Sequence, residues 1–193
     1  MRITYHGHSC FSVESNGYTV VLDPFTGVDG FEDIDLAANQ VICSHGHFDH
    51  AYTAGVRIAK AESPFTTASI PCFHDECGGA KRGNNLITVL KAEGKRIVHL
   101  GDLGHLLSDE LIEEIRSCDV LMIPVGGFYT FPPEEAARLA LAIQPKLVIP
   151  MHYRDESHGF SPLETVDAFI SLLDPALSGR LALVKAYEQS ITI

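Results

Sequence analysis

The stretch Ser44-His45-Gly46-His47-Phe48-Asp49-His50 decides how the rest of the chain is read. It packs three imidazoles and a carboxylate into six positions, the donor types that zinc, iron and manganese take in mixed nitrogen and oxygen sites. Surface loop histidines are the plain alternative, and four ligand-type residues so close together make it a poor one. On an extended turn, alternate positions point the same way. His45 and His47 therefore face together, while Asp49 and His50, out of that phase, face elsewhere, and the spacing suggests two metals side by side. Upstream, Gln40-Val41-Ile42-Cys43 reads as a short apolar strand. The donors thus sit just past a strand's carboxyl end, where open α/β sheets place ligand sites.

As HxHxDH after a strand, His45, His47, Asp49 and His50 resemble the hallmark of the metallo-beta-lactamase superfamily, and the likeness extends along most of the chain. The opening Tyr5-His6-Gly7-His8-Ser9-Cys10-Phe11 is similar to that of the short stand-alone hydrolases in this superfamily, among them the ascorbate-6-phosphate lactonase type. The resemblance implies an α/β fold, a four-layer αββα sandwich, here as one domain over residues 1 to 193. It also implies the remaining ligands: His74 as the third donor of the first metal, with His45 and His47, and His152 completing the second with Asp49 and His50. Asp102 would bridge the two ions. Its setting agrees, because it follows an apolar strand and lies between glycines that let the backbone approach closely.

Composition narrows the function. An apolar share of 46% in 193 residues suffices for a full core. The formal charge of -11 disfavours nucleic acid as a partner, since such binding depends on Lys and Arg neutralising phosphates. A pair of bound cations can reverse the local sign, so a small phosphorylated or carboxylated substrate remains open. Cys10, Cys43, Cys72, Cys77 and Cys118 form an odd set without a CxxC and read as reduced core thiols. The first residues lack an apolar signal core and no stretch reaches the length of a membrane span, so the expectation is a cytoplasmic protein without a membrane partner, compatible with a homo-oligomer.

Along the chain, residues 2 to 5, 9 to 14 and 18 to 22 read as a strand meander with a tight turn at Asn16-Gly17. Asp23, before Pro24, is either a plain turn residue or an acceptor for the free ring N–H of a metal-bound histidine. His6 and His8 stand in a glycine turn; an exposed turn position is the plain reading of both, with His8 the better placed to touch substrate or back a ligand. Residues 25 to 39 read as a loop able to lie over the site, and residues 51 to 61 as a helix. The glycine-rich run 78 to 85 lacks the phosphate-loop order and reads as a hairpin or loop offering Lys81 and Arg82 to an anion. Ser108 caps a helix, the run ending in Pro132-Pro133 leads into another with Ala136, Leu139, Ala140 and Ile143 at helical spacing, and Ser161-Pro162-Leu163-Glu164 reads as a capping box opening a third. His105 and Tyr129 are further candidates for catalytic roles, His105 as a proton donor or an idle loop residue, Tyr129 as a pocket wall or packing.

The chemistry expected of this set is hydrolysis by a hydroxide held between two divalent ions, zinc first and manganese or iron as alternatives, acting on a small-molecule ester such as a lactone. Asp49 and Asp102 would serve that centre, with metal-bound water, His8, His105 or Tyr129 protonating the leaving group. A phosphodiesterase of the same fold, or a metal-binding or sensor domain without turnover, are the competing readings.

Overall fold

The computed structural model describes residues 1–184, 186 and 190–193. The first half supplies β1 (Arg2–Gly7), β2 (Cys10–Ser15), β3 (Tyr18–Leu22), β4 (Leu36–Ala38), β5 (Gln40–Ile42) and β6 (Val56–Ile58). The second supplies β7 (Thr66–Phe73), β8 (Asn84–Ala92), β9 (Lys95–His99), α1 (Asp109–Ile115), β10 (Val120–Pro124), α2 (Pro133–Ile143), β11 (Leu147–Met151), α3 (Val166–Leu172), α4 (Pro175–Ser178) and β12 (Ser190–Thr192). Asn16 and Gly17, both at positive φ, turn β2 into β3 as their residue types favour.

Among the described residues two five-stranded sheets result, of order β12-β1-β2-β3-β5 and β11-β10-β9-β8-β7. Their inner faces share one apolar cluster, in which Ile3, Val13, Val20 and Leu22 of the first sheet meet Leu90, Ile97, Val120, Met122 and Ile149 of the second. β10 is buried on both faces, so its residues read as a continuous apolar run and divide by alternation. Val120 and Met122 join the inter-sheet cluster, whereas Leu121 and Ile123 join Ile115, Leu139, Ile143 and Phe169 of the helices.

The opposite outer face is covered differently. Phe25, Val28, Ile34, Ala38 and Val56 pack over Cys10 and Val21 of the first sheet. Residues 25 to 39 are therefore part of a covering layer and not a flap over the site. The helix expected over residues 51 to 61 is also corrected: only Thr53–Gly55 forms a single 3-10 turn, and Val56–Ile58 pairs in parallel with Leu36–Ala38. Val56 and Ile58 are β-branched, and the ribbon with β4 supplies the backbone partners that a helix would have supplied internally.

α3 likewise begins later than the capping box suggests, at Val166 with Thr165 before it. Ser161 to Glu164 form a turn whose backbone is already taken, since the Leu163 carbonyl accepts Arg154 Nε at 2.5 Å and the Glu164 N–H donates to the Gly126 carbonyl at 2.7 Å. Cys10, Cys72 and Cys118 are buried free thiols, Cys43 is half-buried, and Cys77, against expectation, is exposed.

Candidate metal centre

The donors come from the carboxyl ends of strands. His45 to His50 follow β5, His74 follows β7, Asp102 lies past β9 and His152 follows β11. β9, β10 and β11 run parallel, and β7 regains their direction across the antiparallel β8, so these ends open on one edge. The first sheet meets that edge through the turn between β1 and β2 and through Asp23 after β3. His8, Asp23 and His152 have φ of 52°, 44° and 53°, a left-handed region uncommon for residues with side chains. The His152 N–H donates to the His8 carbonyl at 2.8 Å and clamps the two sheets' turns together.

Two donor sets result. His45, His47 and His74 form one, and His8, Asp49, His50 and His152 the other, the ligand atoms of each lying within 4.8 Å of one another; His45, His50 and Asp102 form a third set across them. Asp102 Oδ2 stands 3.2 Å from Nε2 of His50, of His74 and of His152. Tetrahedral donors with bonds of about 2.0–2.1 Å to one ion lie about 3.3 Å apart, so this spacing suits atoms that share ions.

Orphaned polar atoms test whether a metal fits. Among the described residues, the buried side-chain atoms without a hydrogen-bond partner are Ser9 Oγ and six from this cluster: His45 Nε2, His50 Nε2, Asp102 Oδ1, and Nδ1 of His8, His74 and His152. Folded chains rarely leave such atoms unpaired, and three of them, His45 Nε2, His50 Nε2 and Asp102 Oδ1, belong to residues of one donor set suited to divalent cations.

Behind the donors, Asp23 fixes ring orientation. Its Oδ1 accepts the Ser44 N–H at 2.6 Å, and its Oδ2 accepts the Ser44 hydroxyl at 2.6 Å and His50 Nδ1–H at 2.9 Å. Ser44 Oγ lies 3.0 Å from His45 Nδ1, so with its proton on Asp23 it accepts from that ring nitrogen. Both rings thus keep Nδ1 for these partners and turn Nε2 to the cluster, where His50 offers its lone pair once its second proton has left.

Two further residues, Asn85 and His99, support the site without standing out in the sequence. Asn85 Nδ2 donates to the Leu100 carbonyl at 2.8 Å while its Oδ1 accepts the Asp102 N–H at 2.9 Å. His99 Nε2–H donates to the Ser9 carbonyl at 2.9 Å while Nδ1 accepts the Gly101 N–H at 3.1 Å, joining the Asp102 loop to the His8 turn. The available signal was slight: Asn85 stands beside Asn84 at the start of β8, and His99 closes β9 after the apolar pair Ile97-Val98. Gly101, at φ 56°, is required: a Cβ there would lie 2.4 Å from Asn85 Oδ1 and 2.5 Å from Ser44 Cβ.

Burial pulls the His8 pKa down to about 4 and that of His45 to about 3, helped by neighbouring imidazoles. Burial also lowers His50, but the Asp102 and Asp23 carboxylates outweigh it and leave that ring well above its ordinary value. Burial opposes ionisation of Asp102, yet His152 and His50 hold it well below the usual range. Asp23 is lowered too, its His50 and Ser44 bonds outweighing burial.

The cluster floors a cavity of about 400 Å³ lined by His47, Phe48, Asp49, His74, Arg82, Asp102, Tyr129 and Phe160. Tyr129 and Arg82 are brought to it, the guanidinium carbon 5.9 Å from the Tyr129 ring centre. Lys81 instead pairs with Glu76. His8 is corrected from an exposed turn residue to a fully buried one. His105 is not brought to the cavity, because Nε2 accepts the Phe73 N–H at 3.1 Å and Nδ1–H donates to the Leu106 carbonyl at 2.8 Å; its role as proton donor is withdrawn.

Residues 2–152 match the family described as "Beta-lactamase superfamily domain". The chain belongs to the metallo-beta-lactamase superfamily. Its relatives include a protein of Geobacillus thermodenitrificans named UPF0173 metal-dependent hydrolase, 31% identical with 94% of this chain and 96% of the relative covered. A candidate Zn-dependent hydrolase of the superfamily from Thermotoga maritima superposes with a TM-score of 0.70 at 35% identity, covering 90% of this chain and 86% of its own. The isothiocyanate hydrolase from Delia radicum gut bacteria shares the fold, with a TM-score of 0.74 at 14% identity over 100% and 99% of the two chains. This chain is thus an enzyme of the metal-dependent hydrolase class, and among the described residues no helix of this hydrolase is long and apolar enough to cross a membrane.

Proposed function

We propose that this hydrolase holds two divalent ions, zinc first among zinc, manganese and iron, and cleaves a small-molecule ester, a lactone or a phosphorylated metabolite. His45, His47 and His74 would hold one ion, Asp49, His50 and His152 the other, and Asp102 would stand between them. The observation that carries this reading is the position of Asp102 Oδ2, 3.2 Å from histidines of both sets, beside the orphaned buried atoms His45 Nε2, His50 Nε2 and Asp102 Oδ1. Bound ions of this kind lower the pKa of a water to about 7 and polarise the scissile oxygen.

The chain's own residues do the rest. Asp23 and Ser44 orient His50 and His45, and Asn85 and His99 hold the Asp102 loop. Phe48, Tyr129 and Phe160 give the cavity an apolar wall, and its volume matches small-molecule sites. Arg82 adds a cation at the rim, suited to a carboxylate or phosphate on the substrate; one of its Nη atoms is tied to the Phe128 carbonyl at 3.0 Å and its other donors remain for a ligand. Tyr129, its ring centre 6.3 Å from that of His152, is the side chain best placed to pass a proton to the leaving group.

The test is hydrolysis of a panel of lactones, linear esters and bis(4-nitrophenyl) phosphate by protein loaded with Zn2+, Mn2+ or Fe2+, with chelator-treated protein as control. Metal-dependent turnover of at least one carboxylic ester supports the proposal. Turnover of the phosphodiester alone would move the reaction to phosphodiester cleavage, and no turnover with both ions bound would favour a binding module.

A further inference from the structure

We propose that His8 is itself a ligand of the second ion, a fourth side chain beside Asp49, His50 and His152; this rests on the two-ion reading above. His8 is 0% exposed, in a turn whose neighbouring Gly7 has φ 109° and packs under Phe31. Its carbonyl accepts both the His152 N–H at 2.8 Å and the Tyr5 hydroxyl at 3.0 Å. The backbone is thereby held in an uncommon left-handed conformation that turns the ring to the cluster.

The ring then repeats what the proposed ligands do. His74 and His152 each set Nε2 at 3.2 Å from a carboxylate oxygen of the cluster and leave Nδ1 buried without a partner. His8 sets Nε2 at 3.3 Å from Asp49 Oδ2 and likewise leaves Nδ1 without one. The ring centres of His8 and His152 are 4.2 Å apart. A residue that only orients a ligand stands behind it, as Asp23 stands behind His50. His8 stands level with its neighbours, its ligand atom within 4.8 Å of those of Asp49, His50 and His152 together.

One consequence is an unequal pair of sites. The second ion would meet His8, Asp49, His50, His152 and Asp102, and the first His45, His47, His74 and Asp102. More than four donors departs from the tetrahedral preference of zinc towards the larger coordination numbers that manganese and iron accept.

The test is stepwise Zn2+ titration of the full chain against a chromophoric chelator, comparing native protein with His8→Asn, since asparagine tolerates positive φ but is too short to reach the ion. Loss of an orienting residue weakens binding about 10–100-fold, so the expected result for a lost ligand is a second step weakened at least about 100-fold with the first within about threefold. A smaller loss in the second step, with two ions still bound, overturns the assignment of His8 and leaves the two-ion reading intact. Native protein that takes up only one ion overturns that reading itself. If the variant does not fold, 15N NMR of ring-labelled native protein decides: the His8 nitrogens shift with the second Zn2+ equivalent, and unshifted resonances overturn the proposal.

Discussion

Asp23→Asn removes one charge and almost no volume, and its effect follows from three bonds. The carboxylate accepts at 2.6 Å from the Ser44 N–H, at 2.6 Å from the Ser44 hydroxyl and at 2.9 Å from His50 Nδ1–H. Asparagine keeps one oxygen for the backbone N–H and turns an amide NH2 towards the other two. His50 Nδ1 must then accept, which leaves the ring's remaining proton on Nε2, and the Ser44 hydroxyl, released from Asp23, donates to His45 Nδ1, so that ring too carries its proton on Nε2. Loss of such orienting partners costs about 10–100-fold in metal affinity, about 1.4–2.7 kcal/mol at each site. Without metal, losing the buried Asp23–His50 pair while retaining the other contacts should cost about 3 kcal/mol, roughly 6–12 °C in Tm. The sign with pH is fixed. The folded pKa of Asp23 is lowered, so its contribution is present above about pH 3.9 and lost as pH falls through the folded value. That of His50 is raised, so its contribution is present below about pH 6.5 and lost as pH rises through the folded value. The assay is chelator competition with thermal unfolding of apo protein, and affinities at both sites within threefold of native would refute this role for Asp23.

Other consequences are checked in the same way. Ser44→Ala cuts the relay to His45 but not the Asp23–His50 bond, so the first ion should weaken about tenfold and the second should not, read by the same competition. Asn85→Ala strands the buried Asp102 N–H and Leu100 carbonyl and should lower stability by about 2–5 kcal/mol, measured by denaturant unfolding. Because His50 holds a proton near neutral pH, metal uptake should release protons and tighten as pH rises towards its raised pKa; calorimetry in two buffers of different ionisation heat measures the number released. Tyr129→Phe should leave metal content unchanged and slow turnover about 100-fold, whereas His105→Ala should leave both unchanged, since both its ring nitrogens are bonded to backbone.

The sheets and most donors were legible because each signal was local. His45 to His50 announce themselves by residue type and spacing, and Asp102 and His152 by following apolar strands that carry the core. His74 was legible mainly through family likeness, since its flanking residues carry little pattern of their own. The outer layer was not legible: Val56 and Ile58 become a strand only because β4 lies beside them, which residues 51 to 61 do not encode alone. The same holds for His8, whose glycine turn looks exposed until β11 closes on it, and for Asn85 and His99, whose roles arise from groups 15 or more residues away, the Leu100 and Ser9 carbonyls. Asp23 lay between these cases, its acceptor role suggested by position and its partner supplied by the fold.

The central claim is that this chain holds two ions through the residues gathered around Asp102. Elemental analysis of protein purified without chelator and then reloaded measures it directly, beside a His47→Ala variant. The account predicts about two divalent ions per chain, falling towards one in the variant while the second ion stays. No ion in the native chain after reloading with zinc, manganese and iron in turn, or an uptake unchanged by His47→Ala, would contradict it.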